Sequence, residues 1–272
     1  MNNRIIYYYQ TFIGLKEILY KSCPVTHIHL AAIHFGNNPD GSPYIHLNNN
    51  PPDDPIFKTV WDDINKASEQ GIKIILMLGG AGGAYTDLFD NYDVYYPLLK
   101  QTIKNHKVIS GVDLDIEETV DINNVKKLIN DLINDFGSNF FITMAPLGSS
   151  LETDTPGMGG FRYKDLFNSP EGKYIEYFNG QFYDSYSPSD FELAIKNGYP
   201  ANKIVMGMIS GQNFDNVLST LNTIKQNYPD MGGAFVWELS NAPVDWDKKV
   251  YNTLHAYTGI LNKLFNMLKR QY

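Results

Sequence analysis

Short runs of apolar, β-branched and aromatic residues recur along this chain. Each is followed by a longer segment with helical spacing, and that alternation restricts the fold more than any other feature. The runs fall at residues 5–9, 27–33, 73–78, 108–115, 140–145, 177–183, 204–208 and 233–237. Runs this uniformly apolar suit strands covered on both faces, as in a parallel sheet whose neighbours are joined by crossover helices. Helices are expected at 55–70, 92–106, 122–136, 187–197, 213–228 and near 247–268. Asp121 stands where the helix at 122 needs an N-cap, and Ser187 or Ser189 where the next one does; Gly71, Gly137 and Gly198 stand where helices should stop. Eight parallel strands are enough to close into a filled barrel, so the predicted class is α/β, a (β/α)8 or TIM barrel.

The chain has 272 residues, close to the roughly 250 typical of one such barrel, and residues 1–272 read as a single domain. Between the seventh and eighth runs there is room for one helix and no inserted α+β domain, which predicts an open groove suited to internal cuts in a polymer. The longest irregular stretches, 36–54 and 148–160, follow strands and belong to the C-terminal face, where barrel active sites are built. A formal charge of −8 offers no footprint for nucleic acid or anionic lipid. No stretch approaches the ~18 apolar residues of a membrane span. Neither nucleic acid nor membrane is an expected partner, and a monomer is expected. The chain starts almost at once on a strand-like run, without an apolar leader and small-residue cleavage site; this leaves the compartment open.

Cys23 is the only cysteine, which permits no intramolecular disulfide; it reads as a small buried thiol. The histidines show no metal-ligand spacing, and His27 and His29, which share a strand face, are expected to pack beside the barrel. The glycine-rich stretch 79–83 lacks the Lys-Ser/Thr of a phosphate-cradling loop and the spacing of a dinucleotide fingerprint. No metal or cofactor is called for.

The sharpest chemical signal lies on the fourth run, Ser110-Gly111-Val112-Asp113-Leu114-Asp115-Ile116-Glu117-Glu118. Alternate side chains of a strand share a face, so Asp113, Asp115 and Glu117 point one way and Val112, Leu114 and Ile116 the other. In a barrel this aims three carboxyls inward and upward. Three like charges in a partly dry site cannot all ionise cheaply, so at least one should stay protonated near neutral pH. Glu118 should face away, as a helix-start or rim charge.

This run resembles the fourth-strand motif Asp-Gly-x-Asp-x-Asp-x-Glu of the family-18 glycoside hydrolases, the chitinases and related endo-β-N-acetylglucosaminidases. Gly111, Asp113, Asp115 and Glu117 match, and Ser110 stands where the first Asp is usual. The resemblance spans most of the chain. Met77-Leu78-Gly79-Gly80 is similar to the third-strand Ser-x-Gly-Gly without its Ser, and Met144-Ala145-Pro146 to the fifth-strand end of the plant-type, single-barrel members. Gln181-Phe182-Tyr183-Asp184 is similar to the sixth-strand motif that supplies an essential tyrosine. Gly232-Gly233-Ala234-Phe235-Val236-Trp237 is similar to the eighth strand, whose Trp floors the subsite of the reacting sugar.

The resemblance implies retaining hydrolysis of β-1,4-linked N-acetylglucosamine, in which the substrate's own 2-acetamido oxygen attacks C1. Substrate assistance of this kind is an exception to the usual two-carboxylate scheme. It further implies Glu117 as acid and later base, and Asp115 as the group that orients and charge-stabilises the acetamide. Asp113 would lie deeper and share a proton with Asp115, Tyr183 would donate to the acetamido oxygen, and Trp237 would stack beneath the sugar. Asp184, Gln181, Gly80 and Met144 are expected around the substrate, Asp184 equally as a turn cap and Gly80 mainly through close backbone packing. The expected partner is chitin or an N-acetylglucosamine-containing oligosaccharide. Two alternatives use the same barrel: an endo-β-N-acetylglucosaminidase acting on N-glycan chitobiose cores, and a non-catalytic sugar-binding barrel.

Overall fold

The computed structural model describes residues 3–256. Its strands are β1 (Arg4–Tyr9), β2 (His27–Asn37), β3 (Pro43–Leu47), β4 (Lys73–Gly79), β5 (Ile109–Asp115), β6 (Phe141–Met144), β7 (Ile175–Gln181), β8 (Ile204–Ile209) and β9 (Gly233–Trp237). Eight of them run parallel in the order β1-β2-β4-β5-β6-β7-β8-β9, and β9 pairs back onto β1 to close the barrel. The helices are α1 (Lys58–Glu69), α2 (Tyr85–Asp90), α3 (Tyr92–Asn105), α4 (Ile122–Phe136), α5 (Gly148–Glu152), α6 (Tyr163–Phe167), α7 (Pro188–Lys196) and α8 (Phe214–Asn227). A further helix occupies 246–256. The rest of the helix expected near 247–268 lies outside the described residues.

Local chemistry accounts for the element ends. The Asp121 carboxylate accepts from Asn123 N–H at the start of α4, and Ser187 forms a capping box with Asp190 at α7. Gly71, Gly137 and Gly198 take φ of +87°, +89° and +97°, which an L-residue with a Cβ resists. Between β8 and β9 the only helix is α8.

Four expectations need correcting, the last of them the placement of His27 and His29. Residues 36–54 are not simply loop: β2 runs on beyond a register shift at Leu30/Ile33 and forms a hairpin with antiparallel β3. A bulge bends a strand and lets it leave the barrel wall in this way. The strand expected at 177–183 ends at Gln181, because Phe182 N–H turns back to Gly180 O at 3.0 Å. Cys23 is only half-buried.

The barrel has two cores. Outward-facing strand residues such as Val112 and Leu114, with Ile116 just beyond β5, join the helices in one apolar layer. The smaller inner core is built on Ile6, Tyr8, Ala31, Ala32, Met77, Tyr177, Val205 and Phe235. His27 and His29 belong to this interior rather than beside the barrel: His29 is fully buried and bonded across to Tyr177. Ile28 and Leu30 take the outward face of β2, and strand alternation leaves the lumen to the two histidines.

Candidate active site

At the C-terminal mouth of the barrel a cavity of about 140 Å³ is lined by Tyr8, Gly80, Ala81, Asp115, Glu117, Ala145, Gln181, Tyr183, Ile209, Phe235 and Trp237. The residues converge from seven strands or their ends, so only barrel closure brings them together.

β5 delivers the carboxyls at two depths. Asp113 is fully buried beneath the cavity floor. Its Oδ2 accepts from Tyr8 Oη at 2.7 Å and its Oδ1 from Asn179 Nδ2 at 3.2 Å; the Thr143 hydroxyl also donates to Oδ1. Burial alone would push this carboxyl up. The neighbouring His29 imidazole, with the hydroxyls of Thr143 and Tyr8, outweighs burial and holds it below the usual aspartate range.

Asp115 sits above it and behaves oppositely. Burial, then the Glu117 and Asp113 charges, push its carboxyl well up, against one hydrogen bond from Gln181. That bond, from Gln181 Nε2 to Asp115 Oδ1, is 3.2 Å long, and the same amide donates to Ala145 O at 2.7 Å. Among the described residues no hydrogen bond joins Asp113 to Asp115, so their coupling is electrostatic. Glu117 lies just past the end of β5 and is half-buried. Burial raises its carboxyl, with Gln181 opposing. The Tyr183 phenol is raised by burial and then by the three acids, and therefore remains a hydrogen-bond donor.

Gly80 holds φ at +79°, and its N–H donates to Asp115 O at 2.9 Å. A Cβ there would stand 2.8 Å from Met77 Cε and 3.4 Å from Asp115 Oδ2; glycine at this position lets the loop close over the acid. Trp237, partly exposed, lines the opposite wall with its ring 5.3 Å from that of Tyr8.

Two expected residues lie elsewhere. Met144 pairs with Leu114 and is fully buried in the outer apolar layer; its neighbour Ala145 is the one that lines the cavity, because consecutive strand residues face opposite ways. Asp184 is exposed and does not line the cavity, the chain having turned at Phe182. Glu118 does face away from the cleft, and it serves a helix far from it in sequence. Its carboxylate accepts from the backbone N–H groups of Ala84, Tyr85 and Thr86 at the start of α2, which pins the loop carrying Gly80 and Ala81 to the end of β5.

Sequence reasoning missed Tyr8, Ala81, Ile209 and Phe235 around the cavity, and His29, Thr143 and Asn179 beneath it. A usable signal existed for Tyr8, which shares a β1 face with Ile6. Among the described residues no group of three or more His, Cys, Asp or Glu side chains could hold a metal ion, and no helix is long and apolar enough to cross a membrane.

Residues 4–249 match the sequence profile of the glycosyl hydrolases family 18. Chitinase 2 of Rhizopus oligosporus is 29% identical over 219 residues; the match covers 71% of this chain and 38% of that protein, so the chain spans well under half the length of this curated relative. The solved structure of chitinase ChiC from Aspergillus fumigatus superposes with a TM-score of 0.81 at 28% identity, over 89% of this chain and 93% of that one. A fungal endo-β-N-acetylglucosaminidase of family 18 superposes with a TM-score of 0.84 at 30% identity, over 93% and 98%. The chitinase ICChI of Ipomoea carnea, at 17% identity and a TM-score of 0.65 over 92% of this chain and 100% of that one, shares the fold.

Proposed function

The chain belongs to the glycosyl hydrolases family 18, and on that premise we propose that it cuts β-1,4-linked N-acetylglucosamine polymers internally, with retention at the anomeric carbon and participation of the substrate's acetamido group. The observation that carries this reading is the pairing of a half-buried, raised Glu117 with a recessed, raised Asp115 in one cavity. A carboxyl held protonated is a poor nucleophile. The two-carboxylate route, in which a second ionised acid attacks C1, is therefore disfavoured, and the attacking oxygen comes from the sugar.

In this mechanism Glu117 gives its proton to the glycosidic oxygen as the C1–O bond breaks. The acetamido carbonyl oxygen closes on C1 to form an oxazolinium ring, and Asp115 accepts the acetamide N–H. Asp115 keeps its proton and accepts through its carbonyl oxygen, whose partial negative charge, backed by the Asp113 anion beneath, faces the cation as it develops, an interaction stronger in the transition state than in the ground state. Tyr183 donates to the acetamido oxygen and orients it, and Trp237 supports the ring. Glu117, now ionised, takes a proton from water, which opens the oxazolinium ring from the face the leaving group left. The short connection between β8 and β9 leaves that wall of the groove low, which favours internal cuts.

The test is turnover of a fluorogenic chito-oligosaccharide. Glu117→Gln should lower kcat by about 10²–10⁴-fold, the range for loss of a general acid, and proton NMR of early wild-type product should show the β anomer. An α anomer, or Glu117→Gln retaining activity, sinks the mechanism. A wild type that binds the oligosaccharide without turning it over would instead make the barrel a sugar-binding protein. The likeness to the fungal endo-β-N-acetylglucosaminidase favours a second substrate reading, N-glycan chitobiose cores. Release of glycan from a high-mannose glycoprotein, set beside release of oligomers from colloidal chitin, separates the two.

A further inference from the structure

The barrel interior holds a buried imidazole that the reaction above does not use. His29, fully buried, places Nε2 3.1 Å from Tyr177 Oη and Nδ1 3.3 Å from Asp113 Oδ2. The second contact is poorly aligned for a hydrogen bond, and Nδ1 has no better partner among the described residues. Tyr177 is fully buried too, with the Arg4 guanidinium 4.3 Å over its ring. His29 is the only described hydrogen-bond partner of the Tyr177 hydroxyl. If that hydroxyl donates to Nε2, the ring proton sits on Nδ1, facing the carboxylate. The other tautomer would aim a lone pair at an anion in a dry interior, where like partial charges are costly.

We infer that His29 is a positioning residue for the reaction: its Nδ1–H, fixed by Tyr177, holds Asp113 as the anion of the column and so leaves the proton on the acids above it. This rests on the hydrolase reading for its catalytic consequence, though not for its electrostatics. The titratable groups facing His29 come from β1, β2, β5 and β7; β4, paired with β2 at His29↔Ile75, offers none. Asp113 faces it from β5, and Tyr177 from β7. Tyr8 faces it from β1, with ring centroids 4.7 Å apart. His27 lies two residues below on β2, and Asp115 above on β5. Tyr8 and Tyr177 are raised, chiefly by burial, and stay protonated. His27 is pushed down by burial, then by His29, Arg4 and Lys73, so it brings no competing charge. Of the influences that lower Asp113, His29 is the foremost.

Two readouts test this on the whole chain: the pH profile of kcat, and carbon-13 NMR of aspartate-labelled protein. Loss of the donor lets Asp113 compete for the proton. His29→Leu should therefore move the acid limb of kcat upward by about one pH unit and lower kcat roughly tenfold, with KM within about twofold of wild type. The Asp113 carboxyl signal should titrate at correspondingly higher pH. His29→Gln, whose amide can still donate, should restore most of both; if His29→Leu does not fold, His29→Asn against His29→Gln carries the comparison. A purely structural role predicts lower thermal stability with the limb and the signal unmoved, and that result overturns the inference. A wild type without turnover sinks the hydrolase reading instead, and the NMR titration alone then decides the role of His29.

Discussion

The closed middle of the barrel and its open mouth hold the same chemical group in opposite states. Asp113 and Asp115 are two residues apart on β5, share a face and are both almost wholly buried, yet the first is held below the ordinary aspartate range and the second well above it. Burial penalises both charges, so burial cannot be what separates them. The difference is in donors. Asp113 is ringed by Tyr8, Thr143, Asn179 and His29, whereas Asp115 has the single Gln181 amide and two acids for neighbours. The mouth is poor in donors, and the middle layer is rich in them and carries the charge.

Four substitutions strain this contrast by decreasing amounts. Asp113→Asn should be the most damaging. Asparagine turns an N–H toward donors already in place and leaves buried donors unsatisfied, at about 1–3 kcal/mol for each, read as the urea midpoint at pH 7. Wild-type stability from Asp113, whose folded pKa is depressed, is present above the unfolded aspartate value and lost as pH falls through the folded one. The gap between variant and wild type should therefore narrow in acid.

Asp115→Asn should behave in the reverse sense. Its catalytic loss, about 2.7–4 kcal/mol of barrier for a removed electrostatic stabiliser, should come with a higher Tm at pH 7. A carboxyl raised on folding favours the fold below its unfolded pKa, and this advantage disappears as pH rises through the folded pKa. The neutral asparagine escapes that loss, so the gain in Tm should vanish near pH 3. A lower Tm at pH 7 would place Asp115 with Asp113 and erase the contrast.

Thr143→Val removes one donor from Asp113 and leaves the shape. It should cost about 1–3 kcal/mol at pH 7, by thermal melts, and raise the Asp113 carboxyl in the same NMR titration. Glu118→Gln is the control outside the column. It weakens the cap on α2 by about 1 kcal/mol and should leave the acid limb of kcat in place.

Much of the scaffold was legible in the chain. The spacing of apolar runs indicated eight parallel strands, and the positive-φ glycines and the Asp121 and Ser187 caps marked helix ends, because these depend on residues a few positions apart. Alternation along β5 likewise separated Asp113 and Asp115 from Val112 and Leu114. On β6 the family resemblance put Met144 at the cleft, where the same alternation gives the place to Ala145. Residues 36–54 were unreadable as a hairpin because the β2 bulge that directs it lies within an otherwise regular apolar run. Asp184 was misplaced by a turn at Phe182 whose cause, the Phe182 ring lying against Gly180, is a packing contact.

By itself the sequence determined which elements form, their order, and which side chains share a face, since strand and helix periodicity are local properties. Which face became the lumen, and therefore that His27 and His29 point inward, was decided only when β9 met β1. The ionisation pattern was decided at the same step. A carboxyl responds to donors within a few ångströms, and those of Asp113 arrive from β1, β2, β6 and β7, which only the closed barrel makes neighbours.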